Sequence, residues 1–251
     1  LNEAGKFWVD TAIGGQVTTV SKRSTDPTDI VKSKAIDSLV NSGLSVISFN
    51  GHASANNFDF SLKDPETYTA VPRFPHFIAL GCDIAQIFGL TASVRTLSER
   101  HLLATTGGSI SILASNNLQF APFHYRYLPT VYNSIARRNY GSTIGTHQHY
   151  AYDSLRSVDQ SDNTYYQLES LLLQGDPALP VFGPAKPDFH VASNRISTNP
   201  ANVTNTMDSF SLRIVAFNLG RAVKDTVSLK VEHIDPAGAT STLGTFKLRD
   251  L

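Results

Sequence analysis

A histidine and the only cysteine of the chain each follow directly on an apolar run of the kind that forms a buried β-strand. The run over residues 44–50 ends one glycine before His52, and the run over residues 75–80 ends one glycine before Cys82. Residues just past the carboxyl ends of neighbouring parallel strands face one crevice, where such sheets bind ligands. An imidazole beside a thiol can take the thiol proton and stabilise the thiolate. The pattern therefore predicts a hydrolase centre with Cys82 as nucleophile and His52 as base.

Each of the two residues also has a simpler interpretation. A lone cysteine is more often a small buried apolar side chain than a nucleophile, and a lone histidine is more often a polar residue without a catalytic role. Here, however, both residues follow a glycine, which lets the backbone turn sharply off a strand, and both follow a buried-strand pattern. The coincidence favours the catalytic interpretation.

The composition excludes several other classes of function. The chain has 251 residues, 41% of them hydrophobic, and a formal net charge of zero, so it gives no electrostatic reason to expect binding to nucleic acid. A single cysteine excludes an internal disulfide framework and a multi-cysteine zinc site. No apolar stretch is long enough (about 18 residues) to span a membrane, so we expect no membrane span.

Two further motifs predict no cofactor. His147 and His149 are two residues apart, and side chains at that spacing do not share a helix face, so we expect no metal site there. The glycine pair 107–108 precedes a predicted strand rather than a helix, which argues against a phosphate-binding loop and a nucleotide-binding domain. We expect neither a metal ion nor any other cofactor.

The elements that would position the two residues alternate between strand and helix in the first half of the chain. Such alternation predicts a mostly parallel sheet covered by helices on both faces. Strands are predicted at 16–20, 44–50, 75–81 and 109–114, and helices at 29–42 and 97–105. Further helices are predicted at 131–138, 144–155 and 165–174.

The pattern changes after a segment rich in proline and glycine at 183–187, which predicts a linker. Beyond it, short runs alternate apolar and polar residues with period two, and turn signals separate them. Several short alternating strands predict a small immunoglobulin-like β-sandwich over residues 188–251, cut off at its end because about 65 residues are few for such a domain.

Four segments, in order, resemble the gingipain-like cysteine peptidases (peptidase family C25), which have a caspase-like fold. The resemblance covers roughly residues 15–182. The matching segments are Phe-Asn-Gly-His-Ala-Ser at 49–54, Ile-Ala-Leu-Gly-Cys at 78–82, the helix, glycine pair and strand at 97–113, and Leu-Leu-Gln-Gly-Asp-Pro-Ala-Leu at 172–179. Within the family, residues 58–62 and 64–68 look closest to the PorU-like sortases of type IX secretion.

The resemblance implies a fold and a division of the chain. The fold class is α/β: a caspase-like three-layer αβα domain with a mostly parallel sheet, followed by the immunoglobulin-like β-sandwich. Residues 1–183 would form the peptidase domain, lacking upstream segments that relatives have, and residues 188–251 would form the sandwich. Because one of those upstream segments carries the acid that orients the histidine in relatives, we expect this chain to be weakly active at most.

The resemblance also implies a function and a set of site residues. The chain would be an enzyme, a cysteine endopeptidase or sortase-like transpeptidase that acts on proteins or peptides through a Cys82–His52 dyad and a thioester acyl-enzyme. Backbone N–H groups at Gly51 and Cys82 would form the oxyanion hole. The protein would be secreted, or lie at the cell surface or outer membrane of a bacterium, and secretion-system or cell-surface proteins would be its partners; residues 1–6 have no signal-peptide pattern.

Three features leave alternatives open. Asp59, the first acid after His52, could orient the imidazole, but we favour its interpretation as a loop aspartate in water. Ser115 and Asn116 follow a predicted strand at the crevice edge and are expected to contact substrate. Asp83 stands beside the thiol, where a carboxylate would oppose thiolate formation. The alternative function is therefore a catalytically silent scaffold or binding module of a bacterial secretion or cell-surface assembly.

Overall fold

The computed structural model describes residue 5 and residues 15–21, 30–60, 62–88, 95–181, 185–204, 206–218, 220–221, 223 and 225–249. Contacts divide the chain into two compact units. The first contains the described residues from 18 to 181 and residue 5, and the second contains those from 185 onward together with residues 15–17.

A four-stranded sheet forms the centre of the first unit. Its strands are β1 (Val46–Asn50), β2 (His76–Leu80), β3 (Ser111–Ser115) and β4 (Leu171–Gly175), in that spatial order. The first three strands are parallel, and β4 runs antiparallel to β3. The carboxyl ends of β1, β2 and β3 therefore lie at one edge of the sheet.

Five α-helices over the described residues 30–169 flank the sheet. They are α1 (Ile30–Ser42), α2 (Leu97–Leu103), α3 (Ala121–Asn133), α4 (Ile144–Val158) and α5 (Asp162–Glu169), and α3 continues into a π-helical turn at Ser134–Arg138. Side-chain caps begin three of them, because a hydroxyl of Thr96, Thr143 or Ser161 accepts an N–H of the first turn of α2, α4 or α5.

The two central strands, β2 and β3, are buried on both faces, which makes the unit a three-layer αβα structure. Ile78 and Leu80 of β2 face α3, α4 and α5, whereas Phe77 and Ala79 face the opposite layer, where α2 packs. The helical residues of the first layer are Phe123, Tyr127, Leu128, Val131, Ile144, Ala151, Leu155 and Leu168. Burying one such large apolar side chain contributes about 1.5–3 kcal/mol, so this packing fixes the sheet edge that carries the site.

The structure confirms the predicted fold class and most strands. The predictions 44–50, 75–81 and 109–114 correspond to β1, β2 and β3, each within about two residues. The predicted strand at 16–20 is wrong, because residues 16–20 are described and belong to no strand. Val20 instead packs against the cluster that α1 buries. A short Thr/Val run has β propensity, but it forms a strand only where a partner edge is available.

The fourth strand of the sheet lies where the sequence pattern predicts a helix. The pattern at 165–174 fits a helix only up to Glu169, and residues 171–175 form β4 along β3. Three consecutive leucines, Leu171 to Leu173, are compatible with a buried helix or a buried strand, and periodicity alone does not separate the two. The free edge of β3 decides in favour of a strand.

Helix α3 begins ten residues before the prediction at 131–138. Pro122 lies in its first turn, where proline is favoured, but Pro129 lies inside the helix. An internal proline normally ends a helix because it removes a hydrogen bond and clashes with the preceding turn. Burial of Phe123, Tyr127 and Leu128 against the sheet outweighs that local penalty.

The second unit is built of β-strands. Its strands are β5 (Phe189–His190), β6 (Ile196–Asn199), β7 (Ser211–Ile214), β8 (Phe217–Asn218), β9 (Val227–Ile234) and β10 (Thr240–Leu248). They pair antiparallel as β5–β8, β6–β7 and β9–β10. This strand content agrees with the β-sandwich expected for residues 188–251, whose preceding linker lies partly outside the described residues.

No helix in the described part of the chain is long and apolar enough to cross a membrane.

Candidate active site

His52 and Cys82 follow the ends of two neighbouring parallel strands. Asn50 pairs with Leu80 in the last rung between β1 and β2, and the Gly51 N–H donates to Leu80 O at 3.1 Å. A Cβ added at Gly81 would lie 2.8 Å from Gly51 O and 2.9 Å from the Ala53 Cβ, so only glycine fits there. The segment that carries His52 therefore crosses directly against the segment that carries Cys82.

A short antiparallel pairing brings an acid beside His52. Ala53 is opposite Phe58, and the Asp59 N–H donates to His52 O at 2.8 Å. His52 and Asp59 are therefore cross-strand neighbours, and such neighbours place their side chains on the same face with Cβ atoms about 4.5–5.5 Å apart. Phe58 anchors the pairing because its ring packs on Phe49 of β1, with centroids 4.6 Å apart.

The turn after Cys82 has a left-handed backbone. Asp83 has φ 58°, and it is the one non-glycine residue with positive φ among the residues that the structure describes. This conformation costs a residue with a Cβ about 1–2 kcal/mol, although aspartate tolerates it better than most. Two backbone bonds hold the turn, from the Asp83 N–H to Asn117 O at 3.2 Å and from the Ala85 N–H to Ser115 O at 2.7 Å. The strained turn directs the chain sharply away from β2 after the cysteine.

A backbone donor points at the sulfur of Cys82. The Gln119 N–H donates to Cys82 Sγ at 3.5 Å, and the Cys82 thiol donates to Gln119 O at 3.8 Å. The thiol is half-buried, and a backbone N–H aimed at a sulfur stabilises its anionic form. Sequence reasoning missed Gln119. The sequence signal that could have found it is its position: Gln119 lies four residues after the end of β3, at the same edge of the sheet as Cys82.

Ser115 does not reach the crevice, so the expectation that it contacts substrate is wrong. The residue is fully buried, and its hydroxyl donates to Asn117 O at 2.7 Å and accepts the Asn117 N–H at 3.1 Å. Ser115 thus shapes the loop that meets the cysteine turn. Asn116 is half-buried, with its N–H donating to Ser170 O at 2.9 Å, and its contact with substrate stays a prediction.

The expected oxyanion donor at Gly51 needs correction. Its N–H is used in the bond to Leu80 O. Successive N–H groups of an extended chain point to opposite sides, so the N–H of Ala53 points back toward the side of β2 and Cys82. Within the described residues, neither the Ala53 N–H nor the Cys82 N–H donates to another group. These two donors fit the role better than Gly51.

A surface groove opens beside the Gln119 segment. Its volume is about 530 Å³, and its lining includes the ion pair between Arg126 and Asp159, whose Nη1 and Oδ2 atoms are 2.8 Å apart. The lining residues are Phe120, Pro122, Phe123, Arg126, Asp159 and Asn163. Because Phe120 directly follows Gln119, the groove begins next to the residue that contacts the nucleophile.

A buried histidine ties α3 to the end of β1. Nδ1 of His124 lies 2.6 Å from Asn50 Oδ1, so an N–H on Nδ1 donates to the amide oxygen. Burial lowers the pKa of His124 to about 4, and its Nε2 has no partner among the described residues. A neutral imidazole at this place is a structural support for the strand end, and sequence reasoning did not single it out.

The histidine pair at 147 and 149 consists of two unrelated residues. His147 is buried with Nδ1 3.0 Å from Ser134 Oγ, and burial lowers its pKa to about 4. His149 is exposed and pairs with Asp153 at 3.1 Å. Within the part of the chain that the structure describes, no group of three or more histidine, cysteine or acidic side chains could hold a metal ion.

Comparison with known proteins adds a family and a fold. The model of peptidase family C25 matches residues 3–182. The structure is similar to the Arg-specific cysteine proteinase gingipain R, with TM-score 0.55, 18% identity and coverage of 90% of this chain and 49% of that chain. It is equally similar to the complex of the pro- and mature domains of RgpB from Porphyromonas gingivalis, with TM-score 0.55, 17% identity and coverage of 90% and 50%.

A third solved structure, described as a protease, gives TM-score 0.52 at 10% identity and covers 84% of this chain and 56% of its own. At these identities the likeness shows the fold. The chain spans about half the length of these structures. No curated protein sequence matches it.

Proposed function

Since the chain belongs to peptidase family C25, we propose that it is a cysteine endopeptidase with Cys82 as nucleophile and His52 as general base. One observation carries the proposal: the two residues follow the carboxyl ends of neighbouring parallel strands, where the segments that carry them cross in close contact. That edge is where α/β sheets place their ligands. The Gln119 N–H that donates to the sulfur adds support, because it places a backbone donor at the proposed nucleophile.

The proposed reaction begins with transfer of the Cys82 thiol proton to the His52 imidazole. The thiolate attacks the carbonyl carbon of a peptide bond, and the carbonyl oxygen takes up the negative charge. The N–H groups of Ala53 and Cys82 would donate to that oxygen. When the intermediate collapses, the C–N bond breaks, the imidazolium returns its proton to the leaving amine, and a thioester on Cys82 remains.

The thioester then reacts with a second nucleophile. Attack by water, with His52 removing a proton from it, gives hydrolysis, whereas attack by an amine gives sortase-like transpeptidation. Both outcomes use the same dyad, and the substrate is a protein or peptide in both. We propose that the groove beside Phe120 accommodates part of that substrate, because it opens next to Gln119.

Asp59 is proposed to orient His52. Its backbone bond to His52 O makes the two residues cross-strand neighbours, and this supports an orienting role for Asp59 over that of a loop aspartate in water. A carboxylate beside an imidazole fixes the ring and stabilises the imidazolium that forms during the reaction. The chain would then supply an orienting acid from its own sequence after the histidine.

The remaining expectations stay proposals. Residues 1–183 would be the peptidase domain and residues 188–251 the immunoglobulin-like one. The change of compact unit after the described residue 181 supports the boundary between them, whereas residues 15–17 fall in the second unit. The protein would be secreted, or lie at the surface or outer membrane of a bacterium, with secretion-system or cell-surface partners. Membership of the PorU-like branch is also still a prediction.

A catalytically silent scaffold is the second candidate function. Asp83 favours it, because a carboxylate next to the cysteine opposes formation of the thiolate if its side chain faces the sulfur.

Peptide turnover distinguishes the two functions. We expect the protein to cleave a mixed peptide library, slowly but measurably, with products identified by mass spectrometry. Cys82→Ala and His52→Ala should each reduce cleavage at least about 100-fold, whereas His149→Ala, a change at an exposed histidine, should have no effect. Cleavage that persists in Cys82→Ala would contradict the peptidase proposal, and no cleavage by any form of the protein would favour the scaffold.

A further inference from the structure

One fully buried amide holds the chain on both sides of Gln119. Gln167 of α5 has no exposed surface, and its side-chain Oε1 accepts the Phe120 N–H at 2.8 Å. Its Nε2 donates to Leu118 O at 3.2 Å. The side chain therefore binds the residue before Gln119 and the residue after it, using its donor and its acceptor at once.

The side chain of Gln119 is fixed from the same helix end. Its Nε2 donates to Ser170 Oγ at 2.6 Å and to Gln167 O at 3.3 Å. Because Leu118 O and the Phe120 N–H point toward Gln167, the N–H of Gln119 between them points the opposite way. That direction is the direction of Cys82 Sγ, which it meets at 3.5 Å.

Apolar packing does little to hold this segment. Leu118 is 52% exposed and Phe120 is 48% exposed, so neither is anchored in the core. Hydrogen bonds therefore restrain residues 118–120: Gln167 and Ser170 bind them from the end of α5, and Phe120 O accepts the Phe123 N–H of α3 at 3.0 Å. Leaving a buried amide without hydrogen-bond partners costs about 1–3 kcal/mol. The bonds to Gln167 therefore hold the segment in this one position.

From this geometry we infer that Gln167 is a positioning residue for the nucleophile: its side chain sets residues 118–120 so that the Gln119 N–H faces the Cys82 sulfur. Gln167 acts through Gln119 and touches neither Cys82 nor substrate. The inference deepens the proposed function and rests on it in taking Cys82 as the nucleophile. Loss of the two Gln167 bonds frees the Gln119 N–H to turn away, and the thiolate loses a donor.

The test uses the pH profile of alkylation of Cys82, which is the only thiol of the chain. The full chain reacts with iodoacetamide between pH 5 and 10, and intact-mass spectrometry gives the rate. Gln167→Met keeps the length of the side chain but removes both hydrogen bonds. Gln174→Met is the matched control, since Gln174 lies on β4 opposite Ile112, toward the far edge of the sheet.

We expect the midpoint of the Gln167→Met profile to move up by about one pH unit, which is roughly a tenfold slower reaction near pH 6. The Gln174→Met profile should match that of the unchanged protein. Circular dichroism and a thermal melt verify that each variant is folded. If Gln167→Met does not fold, Gln167→Asn replaces it, because the shorter amide stays polar but cannot reach both partners, and the same shift is expected.

Two results would overturn the inference. An unshifted profile in a folded Gln167 variant, beside an unchanged protein that reacts near pH 6, would reject the role of Gln167 and leave Cys82 as the nucleophile. Reaction of the unchanged protein only at alkaline pH would reject the activated thiol itself, and with it both the role of Gln167 and the proposed function.

Discussion

At the residue scale, the chemistry of the candidate site was readable from the sequence only where a residue type is rare. The single cysteine and the Gly-His pair stand out by type and by their place after apolar runs. Gln119 acts through its backbone N–H, which every non-proline residue has, so its side-chain type carries no signal. Asp59 was visible as an acid, but its place beside His52 depends on a local pairing that only the fold shows.

The cross-strand position of Asp59 gives a first prediction. Asp59→Asn should reduce kcat about 10- to 100-fold with little change in KM, because the imidazole loses its orienting carboxylate while the groove is untouched. Steady-state kinetics on a cleavable peptide measure the two constants. Asp153→Asn, at an exposed carboxylate that pairs with His149, is the control and should leave both constants unchanged. Equal kinetics in Asp59→Asn and the control would show that another group orients His52.

The left-handed backbone at Asp83 gives a second prediction. Asp83→Gly should change the free energy of unfolding by less than about 1 kcal/mol, because two effects oppose each other. Glycine adopts a φ of 58° without strain in the folded state, but it gives the unfolded chain more conformational entropy. Asp83→Val should lower it by about 2 kcal/mol, because a β-branched side chain is strained there. Urea unfolding measures both variants. Equal stability of the glycine and valine variants would mean that the turn relaxes.

At the element scale, prediction succeeded where pattern and pairing agree. Strands β1, β2 and β3 have apolar runs that end at glycine or polar residues, and the structure places these strands as neighbours. The sequence did not predict the antiparallel strand β4, because an apolar run of three leucines fits a buried strand and a buried helix equally well. It also did not predict the start of α3, because Pro129 argues locally against a helix. In both places the open sheet edge or face decides the outcome, and that information is not local in the sequence.

The capping box of α2 gives a third prediction. The Thr96 hydroxyl accepts the Glu99 N–H at 3.3 Å, and the Glu99 carboxylate accepts the Thr96 N–H at 2.8 Å. Thr96→Ala should lower the free energy of unfolding by about 1 kcal/mol, since one buried donor of the first turn loses its partner. Ser157→Ala, in the last turn of α4 where the hydroxyl is exposed, is the control and should change it by less than about 0.5 kcal/mol. Chemical unfolding of both variants gives the comparison, and equal losses would show that the cap contributes nothing specific.

At the scale of the whole molecule, the proline-rich segment at 183–187 separates helical from period-two patterning, and the described residues from 185 onward belong to the second compact unit. Residues 15–17 belong to that unit as well, which composition and period do not predict. The burial of half of the eight histidines was not readable. His76, His101, His124 and His147 are buried, and burial lowers the pKa of each to about 4. All four are therefore neutral in the folded protein near pH 7, where they serve packing and hydrogen bonding.

These four histidines predict a loss of stability in mild acid. Unfolding returns each pKa to about 6.5, so between pH 6.5 and pH 4 the unfolded chain binds protons that the folded chain does not. The free energy of unfolding should thus be largest above pH 6.5 and fall steadily as the pH drops to about 4. Below pH 4 the four histidines should cause no further fall. Urea unfolding at a series of pH values measures the slope.

A buried and an exposed histidine provide the comparison for that slope. His101→Gln, which removes a buried imidazole packed edge-on against Phe77, should make the slope between pH 6.5 and 4 shallower. His149→Gln, at an exposed site, should leave it unchanged. A slope that is the same in both variants would show that the buried histidines do not control the acid sensitivity.

The Cys82–His52 dyad is tested most directly by acylation of the protein with a peptide thioester, quenched in acid and followed by intact-mass spectrometry. We expect a peptidyl adduct on Cys82 that forms near pH 7 at least about 100-fold faster in the unchanged protein than in His52→Ala, and no adduct in Cys82→Ala. The difference between the first two rates measures what the imidazole contributes to the thiol. Equal acylation rates with and without His52 would contradict the dyad and leave Cys82 as an ordinary thiol at the end of a strand.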